Sequence, residues 1–195
     1  MKTILYMVRH AESPYSDGTE RTRGLTDKGW LAVEKVTEVL MGEGIDRIVS
    51  SPYARARFTV EGLAKQLNLA VESYEDLRER HFMREDIRLS NEEFMTTLIS
   101  KFDDLDFAFP GGESNRECQR RAVDVLNTII AESKGKKIAI GTHGNVMTMM
   151  MKHFDASYGY DFLSQTSKPD IYKLVFDEQE LVEVTRLWEA WPDAR

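Results

Sequence analysis

Ile4-Leu5-Tyr6-Met7-Val8-Arg9-His10 is the stretch that decides the fold. An unbroken apolar run closes on a guanidinium and an imidazole side by side. A short continuous apolar run bounded by polar residues is the pattern of a strand buried on both faces, as in a parallel sheet. Far downstream, Lys137-Ile138-Ala139-Ile140-Gly141-Thr142 repeats the pattern and ends on His143-Gly144. In open α/β sheets, ligands bind beyond the C-terminal ends of the strands. The two runs therefore predict two histidines delivered to one edge of one sheet. Arginine carries a fixed fork of donors suited to phosphate. Histidine is a nucleophile and proton carrier near neutral pH.

Working outward, residues 12–24 form a polar loop rich in Ser, Gly, Thr and Arg. Thr26 predicts a helix cap with Asp27 in the first turn. Trp30, Val33, Val36, Leu40 and Met41 supply a buried stripe, and Gly42 and Gly44 stop the helix. Arg47 to Ser50 reads as a second strand. Ser51-Pro52 reads as an N-cap with Pro at the first helical position. Arg55 then falls in the first turn at the sheet edge. Ala70 to Tyr74 reads as a third strand. Ser90 with Glu93, and Ser114 with Glu117, are capping boxes. Phe94, Leu98, Ile99 and Phe102 follow the first at helical spacing, and the second opens a long helix to Ser133. Gly144 starts a helix to about Phe154. Ile171–Phe176 and Leu181–Leu187 read as a terminal hairpin. The fold expected is α/β: a three-layer αβα domain over 1–195, its sheet mostly parallel with an antiparallel edge, and a small helical cap inserted at 82–112.

Bulk composition sets limits. With 195 residues, 42% hydrophobic and 30% charged, the chain reads as an ordinary globular domain. A net charge of −7 argues against a nucleic-acid footprint, which needs a basic stripe. No stretch approaches the length of a membrane span, so no membrane partner is expected. Ile4–Val8 is too short for a secretory signal and lacks a cleavage site. The single Cys118 excludes an internal disulfide and points to a reduced thiol in the cytoplasm.

Several blocks together resemble the histidine phosphatase superfamily, also called the phosphoglycerate mutase-like family. They are Val8-Arg9-His10-Ala11-Glu12-Ser13, Leu25-Thr26-Asp27-Lys28-Gly29 and Ser50-Ser51-Pro52-Tyr53-Ala54-Arg55-Ala56, followed by Leu77-Arg78-Glu79-Arg80-His81-Phe82, Gly111-Gly112-Glu113-Ser114 and Thr142-His143-Gly144. The resemblance implies a phosphomonoester hydrolase working through a phosphohistidine on His10. It places Arg9, Arg55 and His143 in the phosphate pocket and Glu79 as proton donor. Ser16 stands about where the mutase branch carries an Asn, and it joins Arg21 as a substrate-binding candidate. Ala11 replaces the usual Gly after the nucleophile and pays a modest strain if that position needs φ > 0. Met83 replaces a small residue.

The chemistry implied needs positioning and charge neutralisation rather than a cofactor. Glu79 would protonate the leaving alkoxide and then deprotonate water, a role that calls for a carboxyl partly protonated near neutral pH. No metal is expected, because Arg9 beside His10 repels a cation and no His-Glu-x-x-His or Cys-rich spacing exists. Against these readings stand plainer ones. His81 and His153 suit surface or structural roles. Arg23 and Arg84, like Arg21, could reach a remote anion, but loop arginines are usually solvated. Met147, Met149, Met150 and Met151 suit packing under the sheet. Phe82, Met83, Phe94, Phe102, Phe107 and Phe109 either line the cap or form its core. Trp188 and Trp191 either cover the core or form a homodimer contact.

Two other functions stay open. One is a cofactor-dependent phosphoglycerate mutase. That branch, as the resemblance implies, carries a Gly-Trp-x-Asp stretch before Leu-Thr, whereas here Gly24 meets Leu25 directly. The other is a non-catalytic phosphate-binding regulatory module, against which the intact set of charged residues speaks. The expected partner is a small-molecule phosphoester.

Overall fold

The run ending on Arg9-His10 is a strand inside the sheet. The computed structural model describes residues 1–189. In chain order its first half comprises β1 (Lys2–Arg9), α1 (Asp27–Met41), β2 (Arg47–Ser50), α2 (Ala54–Leu67), β3 (Val71–Ser73), a 3₁₀ turn (Glu75–Leu77) and α3 (Asn91–Lys101). Then follow α4 (Asn115–Glu132), β4 (Lys137–Thr142), α5 (Gly144–Phe154), α6 (Tyr160–Gln165), β5 (Asp170–Asp177) and β6 (Glu180–Arg186). The six strands lie in the order β3-β2-β4-β1-β5-β6. The first four are parallel, and the β5–β6 hairpin adds the antiparallel edge. Arg9 pairs with Thr142 in register, and the His10 N–H donates to the Thr142 carbonyl at 2.9 Å. Both histidines therefore leave the sheet at one level.

Alternation along β1 builds the layers. Leu5 and Met7 face a cluster formed with α4 and α5, while Tyr6 and Val8 face one formed with α1 and α2. All four are fully buried, and each such aliphatic side chain stabilises the fold by roughly 1.5–3 kcal/mol. The four methionines of α5 divide no layer: Met147, Met149, Met150 and Met151 all pack under the sheet. Trp188 is buried against the α1–α2 side. Trp191 lies outside the described residues.

Several local readings shift. The buried face of α1 is Gly29, Val33, Val36, Thr37 and Leu40. Trp30 and Met41 sit one residue round the helix from that stripe and are exposed, Trp30 against Phe58. Gly29 takes the inward place because a Cβ there would lie 2.3 Å from the Glu12 carbonyl. Helix α2 starts at Ala54 rather than Pro52, since the Ser51 hydroxyl accepts the Tyr53 N–H and faces His143 instead of capping. Arg55 stays in the first turn. Both capping boxes form, opening α3 and α4. Ile99 on α3 points to solvent, while Leu98 is buried. Among the described residues, no helix is long and apolar enough to cross a membrane.

Candidate active site

His10 follows β1 and is 5% exposed. Its Nδ1 lies 2.7 Å from the Ala11 carbonyl. A carbonyl only accepts, so Nδ1 carries the proton and Nε2 keeps the lone pair in the neutral ring. Burial, then Arg55, holds the imidazole well below its usual pKa, with the bond to Ala11 acting the other way. The next backbone N–H, that of Ala11, donates to Thr59 Oγ1 at 2.9 Å, which in turn donates to the Arg55 carbonyl at 2.7 Å. This ties the end of β1 to α2. Ala11 has no positive φ and is fully buried, so the expected strain is absent and alanine fits.

His143 caps α5 at the end of β4 and is wholly buried. Its ring centroid lies 5.3 Å from that of His10. Nε2 meets the Ser51 hydroxyl at 2.7 Å, a contact across two strand ends. Burial, then Arg55 and His10, also holds this ring well below the usual imidazole pKa. His143 Nδ1 and the Nε atoms of Arg9 and Arg55 are buried with no hydrogen-bond partner among the described residues. All three belong to side chains at the C-terminal ends of β1 and β4 or the first turn of α2.

Arg9 donates through Nη1 to the carbonyl of Thr166 at 3.1 Å and to its hydroxyl. Gly144 allows this path, because a Cβ there would press to 2.9 Å from the Arg9 guanidinium. Arg55 is 1% exposed, and Arg23, which reads from the sequence as solvated, is 6% exposed. Arg23 donates to Ser13 Oγ at 2.7 Å, and the Glu20 carboxylate spans Arg23 and Arg55. Burial lowers the pKa of both Arg9 and Arg55 from the usual arginine value.

Glu79 follows the 3₁₀ turn and reaches the N-terminus of α5. Its carboxylate accepts from the N–H groups of Val146 at 2.9 Å, Asn145 at 3.1 Å and Arg80 at 2.8 Å. Each contact uses the carboxyl as an acceptor.

Arg9, His10, Arg55 and Glu79 line one cavity of about 460 Å³. The rest of its lining includes the polar Tyr15, Glu20, Arg23, Asn145, Ser164, Thr166 and Lys168 and the largely apolar Phe82, Phe94, Met95, Leu98, Tyr160 and Leu163. Of the aromatic residues in segment 82–112, Phe82 and Phe94 reach the cavity, while Phe102 and Phe109 are core. Ser16 and Arg21 do not line it. Ser16 is exposed, and Arg21 turns outward to Glu75 at 2.6 Å, a solvent-facing pair outside the cavity. His81 and His153 are exposed. Thr166 and Lys168 carry no local signal in the sequence, because the loop before β5 joins the site only through the fold. The same holds for Arg23, whose burial on Ser13 follows from how the loop folds.

The model of the histidine phosphatase superfamily (branch 1) matches residues 5–186. The chain belongs to that superfamily. No curated protein matches it significantly in sequence. Among solved structures, the mycobacterial glucosyl-3-phosphoglycerate phosphatase superposes with a TM-score of 0.77 at 18% identity, over 95% of this chain and 97% of that one. YhfR of Bacillus stearothermophilus gives 0.78 at 22%, over 92% and 94%. The phosphoserine phosphatase of Entamoeba histolytica, solved with 3-phosphoglyceric acid, gives 0.78 at 20%, over 96% and 98%. At such identities the likeness speaks for the superfamily fold, with its layered sheet and antiparallel edge.

Proposed function

We propose that this histidine phosphatase hydrolyses a phosphomonoester by way of a phosphohistidine on His10. The observation that carries the reading is the Nδ1 contact of His10 with the Ala11 carbonyl, which leaves Nε2 with its lone pair. Nε2 attacks phosphorus, the P–N bond forms and the ester P–O bond breaks. The leaving alkoxide takes a proton from Glu79. Water then attacks the phosphohistidine, gives its proton to Glu79, and inorganic phosphate departs with the P–N bond broken. Arg9, Arg55 and Arg23 neutralise the nonbridging oxygens. Ser51 Oγ already accepts the Tyr53 N–H, so in the tautomer we assign its own proton goes to His143 Nε2. His143 Nδ1–H is then free to donate to a phosphoryl oxygen.

The leaving group would lie along the apolar wall. Two hydroxyls near it are already used: Ser164 donates to the Asp161 carbonyl and Thr166 to that of Leu163. Phe82, Phe94 and Met95 offer apolar contact, which suits an apolar or aryl alcohol. The lone, buried Cys118 accords with a cytoplasmic setting.

The decisive experiment combines His10→Ala with rapid acid-free quenching of the wild type. Turnover should fall by several orders of magnitude with the fold intact. The wild type should carry phosphate that is labile to acid and stable to alkali, mapped to His10. A variant rate within a few-fold of wild type would remove this mechanism.

A further inference from the structure

The loop that carries Glu79 is gripped by one ion pair outside the cavity. Arg121 on α4 donates through Nη1 to the main-chain carbonyls of Asp76 at 2.6 Å and Arg78 at 2.9 Å, and through Nη2 to that of Glu79 at 3.3 Å. The same guanidinium binds Glu113 through Nε at 2.9 Å and Nη2 at 2.5 Å. Glu113 in turn accepts the His81 N–H at 2.8 Å, and its own N–H donates to the His81 carbonyl at 2.9 Å. The pair is largely buried, with side chains 10% and 13% exposed. It therefore holds the backbone on both sides of Glu79. Gly112 makes the approach possible, since a Cβ there would fall 1.8 Å from the Phe82 carbonyl. Backbone carbonyls bonded to a charged donor of low exposure are held more tightly than by neutral contacts.

We propose that Arg121 and Glu113 are positioning residues for Glu79. They hold its carboxylate on the N-terminus of α5, where it faces the leaving group. The catalytic meaning of the clamp rests on Glu79 being the proton donor. Neither residue lines the cavity.

The test uses Arg121→Met, Glu113→Gln and the double variant Arg121→Met with Glu113→Leu. The double change removes both charges together and so leaves no buried charge unpaired. Single-turnover phosphoenzyme formation from an alkyl phosphate should slow by about 10–100-fold, the scale set by misplacing a catalytic group. With p-nitrophenyl phosphate, whose leaving group needs no proton, it should stay within about 3-fold. In a Glu79→Gln background the same changes should add nothing. Equal losses with both leaving groups, or additive losses in that background, overturn the proposal. Native-state hydrogen exchange supplies a measurement that needs no turnover. The amides of Arg80, Asn145 and Val146 donate to Glu79, and they should exchange about 10-fold faster in the variants, while those of Ile138 and Ile140 in β4 stay protected. Unchanged exchange at those three amides overturns the clamp whatever the kinetics. A wild type inert towards every phosphoester would instead remove the proposed function, and the exchange result would still decide the clamp.

Discussion

Glu20 holds Arg55 in two ways. Its carboxylate accepts from Nη2 at 3.0 Å, and its main-chain carbonyl accepts from Nη1. The same carboxylate accepts from Arg23 Nε at 3.0 Å. An exposed acid thus shares two buried arginines with whatever anion enters the cavity. Glu20→Gln removes the competing charge. It should tighten inhibition by inorganic phosphate by about 10-fold, equivalent to about 1.4 kcal/mol. Weaker phosphate binding in that variant would mean that Glu20 serves to orient the arginines instead.

Glu79→Gln separates an acid from a residue that only shapes the site. An alkyl phosphate leaves as a strongly basic alkoxide and needs the proton, whereas nitrophenolate hardly does. Phosphoenzyme formation from the alkyl ester should slow by roughly 10²–10⁴-fold, the usual worth of general acid catalysis. The nitrophenyl ester should lose far less. Dephosphorylation is measured separately, because Glu79 serves there as base. Equal losses in phosphoenzyme formation would shift the acid role to another group, with His143 next.

The two buried histidines make stability depend on pH in a predictable sense. Both are held well below the usual value of 6.5, burial first and Arg55 next. The unfolded chain therefore binds protons at these rings where the folded chain does not. The stability they contribute is fully present above about pH 6.5 and is lost as pH falls below it. Each ring steepens the loss by about 1.4 kcal/mol per pH unit. Urea unfolding of the wild type and of His143→Gln between pH 7 and pH 5 reads this directly, and the variant should show the shallower slope. Matching slopes would show that His143 takes up its proton without unfolding.

Turnover should be unchanged by a chelator. Arg9, Arg23, Arg55 and Lys168 already bring positive charge to the cavity, and phosphoryl transfer asks chiefly for positioning and neutralisation. Activity that disappears in EDTA and returns with a divalent cation would contradict this.

The apolar wall predicts a preference. Met95 is 41% exposed on α3, so Met95→Lys should fold normally. It should lower kcat/KM for naphthyl or octyl phosphate by about 10-fold, the worth of a lost apolar contact, and raise it for phosphoserine. A wild type that prefers phosphoserine to the apolar esters would rule out the proposed leaving-group class.

How much of this was legible in the chain follows from locality. The apolar runs before His10 and His143 determined the strands and their shared edge, because burial on both faces demands such runs and helical crossovers between strands make them parallel. The capping boxes at Ser90 and Ser114 are local hydrogen-bond patterns, and both formed as read. Arg9, His10, Arg55 and Glu79 line one cavity with His143 beside His10, as the motif order implied. What only the tertiary structure decided concerns side chains whose partners are distant in sequence. Arg21 and Arg23 lie two residues apart in the same loop, yet one turns outward to Glu75 and the other is buried on Ser13 and Glu20. Thr166 and Lys168 reach the site through the β1–β5 pairing, and Arg121 reaches the Glu79 loop from a helix 42 residues away. Periodicity and capping depend on neighbours a few residues apart and can be read along a sequence. The direction of a charged side chain depends on which distant carbonyl or carboxylate the fold brings to it, and that is settled only when the layers pack.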